Sequence, residues 1–181
     1  MVDYCDFQEG YVNPPQEFPQ YFEGNIKWLR GVDFTSSIIL STSRTLTQEG
    51  FESAGKSALL FKPNTIAITK SGTIGKLGII ADYMCGNRAI INIKPKEERF
   101  LPFIYFFLKS IQPQLYDMAV GSAQVNLYVS VLQQIACPLF SPNFEKFSNQ
   151  AIILLKYIIE NTKEIAQLGE LQNILLAELS H

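Results

Sequence analysis

From Phe144 to Ser180 the chain holds no proline and a single glycine, Gly169. An uninterrupted run of this kind has few folded options besides a helix. Within it Leu154, Ile158, Asn161, Ile165, Leu168, Gln172, Leu175 and Leu179 follow one another at alternating four- and three-residue steps. That is the spacing of a coiled-coil seam, and six of the eight positions are apolar. A helix over residues 144–180 would be about 55 Å long at 1.5 Å per residue. A domain built from the preceding residues cannot cover all of it, so the distal half is expected to project. Asn161 and Gln172 would set register and partner number at some cost in stability. The eight seam residues are therefore the expected interface with a partner helix. The competing reading is a helix folded back on its own domain.

The segment ahead of it with most structure in its pattern is residues 66–93. Residues 66–69, 77–81 and 89–93 are short apolar runs rich in isoleucine, each a strand by composition. Between the first two lies Lys70-Ser-Gly-Thr-Ile-Gly-Lys76, whose two glycines allow a sharp turn. Residues 56–99 carry eight Lys/Arg against Asp82, Glu97 and Glu98, a local surplus of +5 in a chain of net charge −2. A β platform presenting a cationic, hydroxyl-bearing turn suits a phosphate-rich partner. A plain hairpin with solvated lysines is the alternative. Residues 1–25, by contrast, carry five acids and no base. A net-negative chain binds nucleic acid poorly on its own, so any such binding is expected through one face, with a basic partner's help.

The remaining stretches read more simply. Residues 1–25 are expected to be extended, with at most a short strand at residues 11–12. Residues 26–29 and 36–40 read as strands, and Trp28 as a core anchor. Thr45 or Thr47 can cap a short helix that Gly50 ends or interrupts. Residues 101–108 are nearly all apolar and form a buried helix opened by Pro102. Residues 121–126 form a polar loop, and residues 134–139 a strand stopped by Pro138.

Several chemistries find no support. The only histidine is His181, which leaves no Ser-His or Cys-His pair. The turn at 70–77 is not a Walker loop, because Lys70 stands where a glycine belongs and Leu77 where a magnesium-binding hydroxyl belongs. Asn13-Pro14-Pro15-Gln16 looks at first like the catalytic loop of amino-methyltransferases. Gln16, however, replaces the aromatic that stacks on the flipped base, and no Gly-rich cofactor loop precedes it. No apolar run approaches a membrane span, and the acidic N-terminus is unlike a secretory leader. Three scattered cysteines fit a reducing, cytoplasmic setting better than a disulfide frame or a metal site.

The order of the pieces carries a resemblance. Pro63-Asn-Thr-Ile66, Ser71-Gly-Thr-Ile-Gly75, Asn87-Arg88-Ala89 with Ile93-Lys-Pro95, Pro102-Phe-Ile-Tyr105, Gly121-Ser-Ala-Gln124 and Cys137-Pro138 opening a long helix occur in turn. This series resembles a type I restriction-modification specificity subunit, over about residues 25–180: one target recognition domain and one conserved-region helix. The resemblance implies an α+β fold. Residues 1–142 would be a mixed α/β target recognition domain with a twisted sheet, and residues 143–181 a long coiled-coil-type helix. It implies sequence-specific recognition of half of a bipartite double-stranded DNA site and no chemistry of the chain's own. S-adenosylmethionine, ATP and magnesium would serve the modification and restriction subunits only. A full specificity subunit has two recognition domains and two such helices, whereas one of each is present here. A second copy, or a second half-subunit, would restore the usual shape and read a gapped palindrome. By analogy the DNA-facing residues would be Lys70, Ser71, Thr73 and Lys76, with Arg44, Lys56 and Arg88 nearby and Gln124 on the polar loop. Lysines would hold phosphates, whereas Arg44, Arg88 and Gln124 can read base edges. Gly72 and Gly75 have a purely structural reading as well. A structural adaptor that assembles partners through its helix is the alternative function.

Overall fold

The computed structural model describes residues 1–121, 125–138 and 143–179. Two sheets and a layer of helices make up the globule. In chain order the elements are β1 (Cys5–Glu9), β2 (Phe22–Leu29), β3 (Ile38–Ile39), β4 (Thr45–Leu46), α1 (Gln48–Glu52), β5 (Leu60–Phe61), β6 (Thr65–Thr69), β7 (Leu77–Ile80), β8 (Met84–Gly86), β9 (Ile90–Pro95), α2 (Phe100–Ser110), α3 (Gln112–Asp117), α4 (Val129–Gln134) and α5 (Phe144–Leu179). The first sheet runs β1-β9-β6-β7-β3 and the second β4-β2-β8-β5.

The isoleucine-rich strands are central because both of their faces are covered. In β6 every residue is buried. Ile66 and Ile68, with Ile79, Ile91 and Ile93, pack under α2 through Leu101, Ile104 and Leu108. Ala67, Ile80 and Ile90 point the other way, against Leu29, Phe61 and Met84 of the second sheet. Strands buried on both faces read as continuous apolar runs, as these do. The outer side of the second sheet is closed by Val12, Phe22, Trp28 and Leu46. Trp28 is an anchor, 4% exposed, with its indole N–H donating to Val12 O at 2.8 Å. Asn92 is buried within the first sheet and donates to Thr65 Oγ1 at 2.7 Å.

Several elements differ from the sequence reading. The strand near residues 11–12 lies earlier, as β1, because Phe7 opposite Ile93 and Cys5 opposite Pro95 extend the first sheet. Tyr11 and Val12 instead cross to the second sheet, and Val12 N donates to Gly86 O at 3.1 Å. The strand expected at 134–139 is not formed over its described part. Residues 129–134 are helical, because Leu132 and Ile135, one turn apart, both reach the main core, and Val129 packs beside them. Leu139 lies outside the described residues. The N-terminal ammonium donates to Gln133 O and Ile135 O, which satisfies carbonyls at this helix end. Thr47, not Thr45, caps α1 by accepting from Gly50 N.

Helix α5 matches the expected span. Its proximal half packs on α2 through Phe144, Ser148, Leu155 and Ile159, the buried residues of this helix. An aromatic set reinforces this joint, with Phe103 edge-on to both Phe144 and Phe147 at 5.2 and 6.2 Å. The seam residues sit one position earlier, about 100° round the helix, and remain exposed: Leu154 62%, Ile158 51%, Ile165 70%, Leu168 57%, Leu175 50% and Leu179 84%. Asn161 and Gln172 are exposed too. The proximal half is thus folded onto its own domain along one face, while the seam face is open along its whole length.

Candidate nucleic-acid interface

One rim of the globule collects the ends of several strands. Strands β2 and β8 are parallel, with Leu29 beside Gly86. Thr69 at the end of β6 faces Ile90 at the start of β9, and Glu9 at the end of β1 faces Ile91. Backbone bonds tie these ends together: Asn87 N to Leu29 O at 3.0 Å, Gly10 N to Ile90 O at 2.9 Å, and Lys70 N to Ala89 O at 2.7 Å. The residues that follow each strand end therefore share one edge, and they include Arg30, Lys70 and Arg88. Arg44 joins them because it precedes β4, and its carbonyl accepts from Trp28 N.

Two arginines lie over aromatic rings. The Arg44 guanidinium lies 4.0 Å from the Phe22 ring centroid and 5.9 Å from that of Trp28, and Arg30 lies 5.1 Å from Trp28. Arg44 also donates to Gln16 Oε1 at 2.8 Å, and Arg88 N donates to Asn13 Oδ1 at 3.2 Å. The Asn13–Gln16 loop is thus clasped between two of the expected DNA-facing arginines. Asp33 organises the neighbouring turns. Its buried carboxylate accepts from Arg30 N and Ser43 N, each at 2.8 Å, and from the Ser43 hydroxyl. Arg30 then reaches Ser43 Oγ at 2.8 Å. Stacking and these bonds pre-order both side chains, which lowers the entropy lost when they grip a ligand.

The turn at residues 70–76 is built as its glycines suggested. Gly72 and Gly75 have φ of +72° and +84°, a region that strains other residues. The Thr69 hydroxyl donates to Thr73 O and accepts from Lys76 N. Ser71 is half-buried and Thr73 exposed. Lys70 is not free: its Nζ lies 2.5 Å from Glu9 Oε1. Glu9 also accepts from the Tyr11 hydroxyl at 2.6 Å. Burial would raise the Glu9 pKa, but the bonds from Lys70 and Tyr11 outweigh it and hold the carboxyl below its ordinary range. Lys76 faces a different groove, of about 310 Å³, shared with Ser36, Lys109 and Gln112. Lys56 is exposed on the turn leading into β5, whose first residue pairs with Cys85 near the same end of β8. The residues flanking the polar loop lie beside the basic turn, since Leu127 N donates to Lys70 O at 2.8 Å and Val120 bridges Asn126. Gln124 itself lies outside the described residues.

Arg30, Asp33 and Glu9 were missed in the sequence. For Arg30 and Asp33 a local signal existed: an acid three residues after the last residue before a Gly turn is a turn-closing pattern. For Glu9 there was none, because its partner is 61 residues away. Among the described residues no three His, Cys, Asp or Glu side chains come together as a metal site, and no helix is long and apolar enough to cross a membrane.

An α+β globule with a rim of strand ends and one long open helix defines an architectural class, and comparison with known proteins narrows it. The family model for the Type I restriction modification DNA specificity domain matches residues 5–176, and the chain belongs to that family. It is 24% identical over 160 residues to the Type I restriction enzyme MjaIX specificity subunit of Methanocaldococcus jannaschii, covering 86% of this chain and 37% of that relative. A solved structure concerned with complex assembly and conformational transition of the type I R-M system superposes with a TM-score of 0.57 at 17% identity, covering 99% of this chain and 41% of the other. The type I restriction-modification S subunit from M. genitalium gives 0.57 at 18%, covering 93% and 40%. The fold is shared with both structures, and the chain spans about two-fifths of the length of each of these relatives.

Proposed function

We propose that this chain is a non-catalytic DNA-recognition half of a type I specificity subunit. In this reading the globule reads one half of a bipartite duplex site, and α5 joins it to a second recognition unit, a second copy or a second half-subunit. Adenine methylation and DNA cleavage are carried out by the modification and restriction subunits, which bring S-adenosylmethionine, ATP and magnesium. The observation that carries the reading is the rim, where Arg30, Arg44, Lys70 and Arg88 converge from four separate stretches onto one edge of a rigid double sheet. Arginine offers a planar fork suited to base edges and phosphates alike. Lys56, Ser71 and Thr73 remain candidate contacts by position, whereas Lys76 opens onto a different groove and Gln124 is a candidate from the sequence alone. Co-expression with a cognate modification subunit, followed by mapping of methylated adenines, tests the proposal. Site-specific methylation that shifts or vanishes in Arg44→Glu and Arg88→Glu supports it, and a complex that methylates nothing sinks it.

One observation favours a second reading, that of a protein adaptor. Glu9 neutralises Lys70, the residue at the head of the basic turn, and the exposed apolar length of α5 would serve partner assembly equally well. An adaptor would tolerate the same charge reversals with no change in DNA binding by the assembled complex.

A further inference from the structure

The rim carries a carboxylate among its cations. We infer that Glu9 is a specificity-determining residue, whose carboxylate accepts from the exocyclic amino group of a cytosine in the major groove. This rests on the DNA-recognition reading and names one base contact within it. Glu9 ends β1, where it faces Ile91. The next residue, Gly10, donates its N–H to Ile90 O at 2.9 Å. It lies so close to the neighbouring strand end that a Cβ there would collide with the backbone of Gly86 and Asn87. The backbone that presents Glu9 is thus locked to the rim.

The side chain is held from two sides. Lys70 Nζ lies 2.5 Å from Oε1, and the Tyr11 hydroxyl donates to Oε2 at 2.6 Å. Neutralising Lys70 needs only the first of these. The second comes from a ring that is 44% exposed, and it fixes the orientation of the carboxylate. Arg88 stands close to the same hydroxyl: the bond to Glu9 raises the Tyr11 pKa, and the Arg88 charge opposes that rise. Each carboxylate oxygen has two lone pairs and spends one on these bonds, which leaves one on each for a ligand. The Glu9 side chain also keeps 26% of its surface exposed. Asp33, by contrast, is buried and spends both oxygens on Arg30 N, Ser43 N and the Ser43 hydroxyl.

Charge decides what such a group can read. Burial alone would raise the Glu9 pKa, but the bonds from Lys70 and Tyr11 hold it below its ordinary range, so the carboxylate is ionised at neutral pH. An ionised carboxylate only accepts. In the major groove guanine offers N7 and O6, and thymine offers O4; all are acceptors and repel it. Adenine offers an amino group, but beside the N7 acceptor. Cytosine offers its N4 amino group with no acceptor on its own edge, and it matches best. Phosphates would repel a lone carboxylate, and here Lys70, Arg30, Arg44 and Arg88 offset that repulsion from the same rim.

Mapping of methylated sites by the complex with the modification subunit, wild type beside Glu9→Gln, tests the inference. The wild-type motif should hold an invariant C·G pair in each half-site that this chain reads. Glutamine both donates and accepts and suits adenine N6 and N7. Glu9→Gln should therefore relax that one position to admit A·T and leave the rest of the motif unchanged. In direct binding by the wild-type complex, a wrong base at that position should cost about tenfold to a hundredfold in affinity, and Glu9→Gln should remove most of that penalty. Tyr11→Phe keeps the charge and the Lys70 bond but frees one oxygen, so it should weaken discrimination at the same position and no other. Inosine in place of the paired guanine removes the minor-groove amino group and leaves the cytosine amino group. Wild-type binding should survive that change, and its loss overturns the major-groove contact. A wild-type motif without such a C·G pair, or a Glu9→Gln motif identical to wild type, overturns the inference and leaves DNA recognition standing. So does a Glu9→Gln complex whose affinity changes equally for every sequence, which would assign Glu9 to charge balance alone. A wild-type complex that methylates nothing removes both readings.

Discussion

Asp33→Asn is the substitution that interrogates the rim most directly, because it removes one charge and almost no volume. Asp33 is 8% exposed. One carboxylate oxygen accepts from Arg30 N and the other from Ser43 N and the Ser43 hydroxyl. An asparagine retains one acceptor and turns the other into a donor that faces a donor. Net, a hydrogen bond to a charged group contributes about 1.5–3 kcal/mol, and an unpaired buried group costs about 1–3 kcal/mol. Losing one bond outright and weakening the other should therefore cost about 2–4 kcal/mol. At about 2–4 °C per kcal/mol for a chain of this size, that lowers Tm by roughly 5–15 °C. Urea and thermal unfolding measure it. Arg30→Lys supplies the control, since it keeps the backbone N–H that Asp33 accepts and keeps a positive charge beside the carboxylate, which the Arg30 side chain meets only at 3.9 Å, so most of the stability should survive. The reasoning is refuted if Asp33→Asn loses less than about 0.5 kcal/mol, or if Arg30→Lys is as damaging.

Gly50→Ala should cost about 3 kcal/mol in urea unfolding, because a Cβ there would lie 2.1 Å from Tyr21 O, a backbone atom; Gly72→Ala, with open space but φ of +72°, should cost about 1–2 kcal/mol from strain alone. Glu9 has its carboxyl pKa depressed below the ordinary 4.5, so its contribution is complete above that pH and is lost as pH falls through the lower folded value. Glu9→Gln should accordingly flatten the acid limb of a Tm-against-pH curve, and an unchanged limb would exclude a stabilising Glu9–Lys70 pair.

What the sequence showed and what it hid follow from how far apart the interacting residues lie. Strands β6, β7 and β9 were legible because burial on both faces leaves an unbroken isoleucine-rich run, and α5 because its period persists over 36 residues. The two-residue strands β3, β4 and β5 and the short β8 carry no period of their own. Of these only β3 had been expected, as part of a longer run, because pairing with distant partners defines such strands. Charge misled in an instructive way. The surplus over residues 56–99 counts ions and ignores pairs, so it drew attention to Lys70, which Glu9 neutralises from the same rim although 61 residues away in the chain. Arg30 and Arg44 come from a stretch of balanced charge. They nonetheless reach the rim, because β2 ends there, the chain returns into β4 there, and aromatic rings lie beneath them, Trp28 under Arg30 and both Phe22 and Trp28 under Arg44. Where strands end, and not where lysines cluster in the chain, decides which cations a DNA backbone or base edge would meet. The same distinction separates the two faces of α5. Residues 155 and 159 are spent on the chain's own core, while 154 and 158, one position away, stay open to a second helix. A rotation of about 100° in one rod is enough to separate the face that folds onto the domain from the apolar face left exposed.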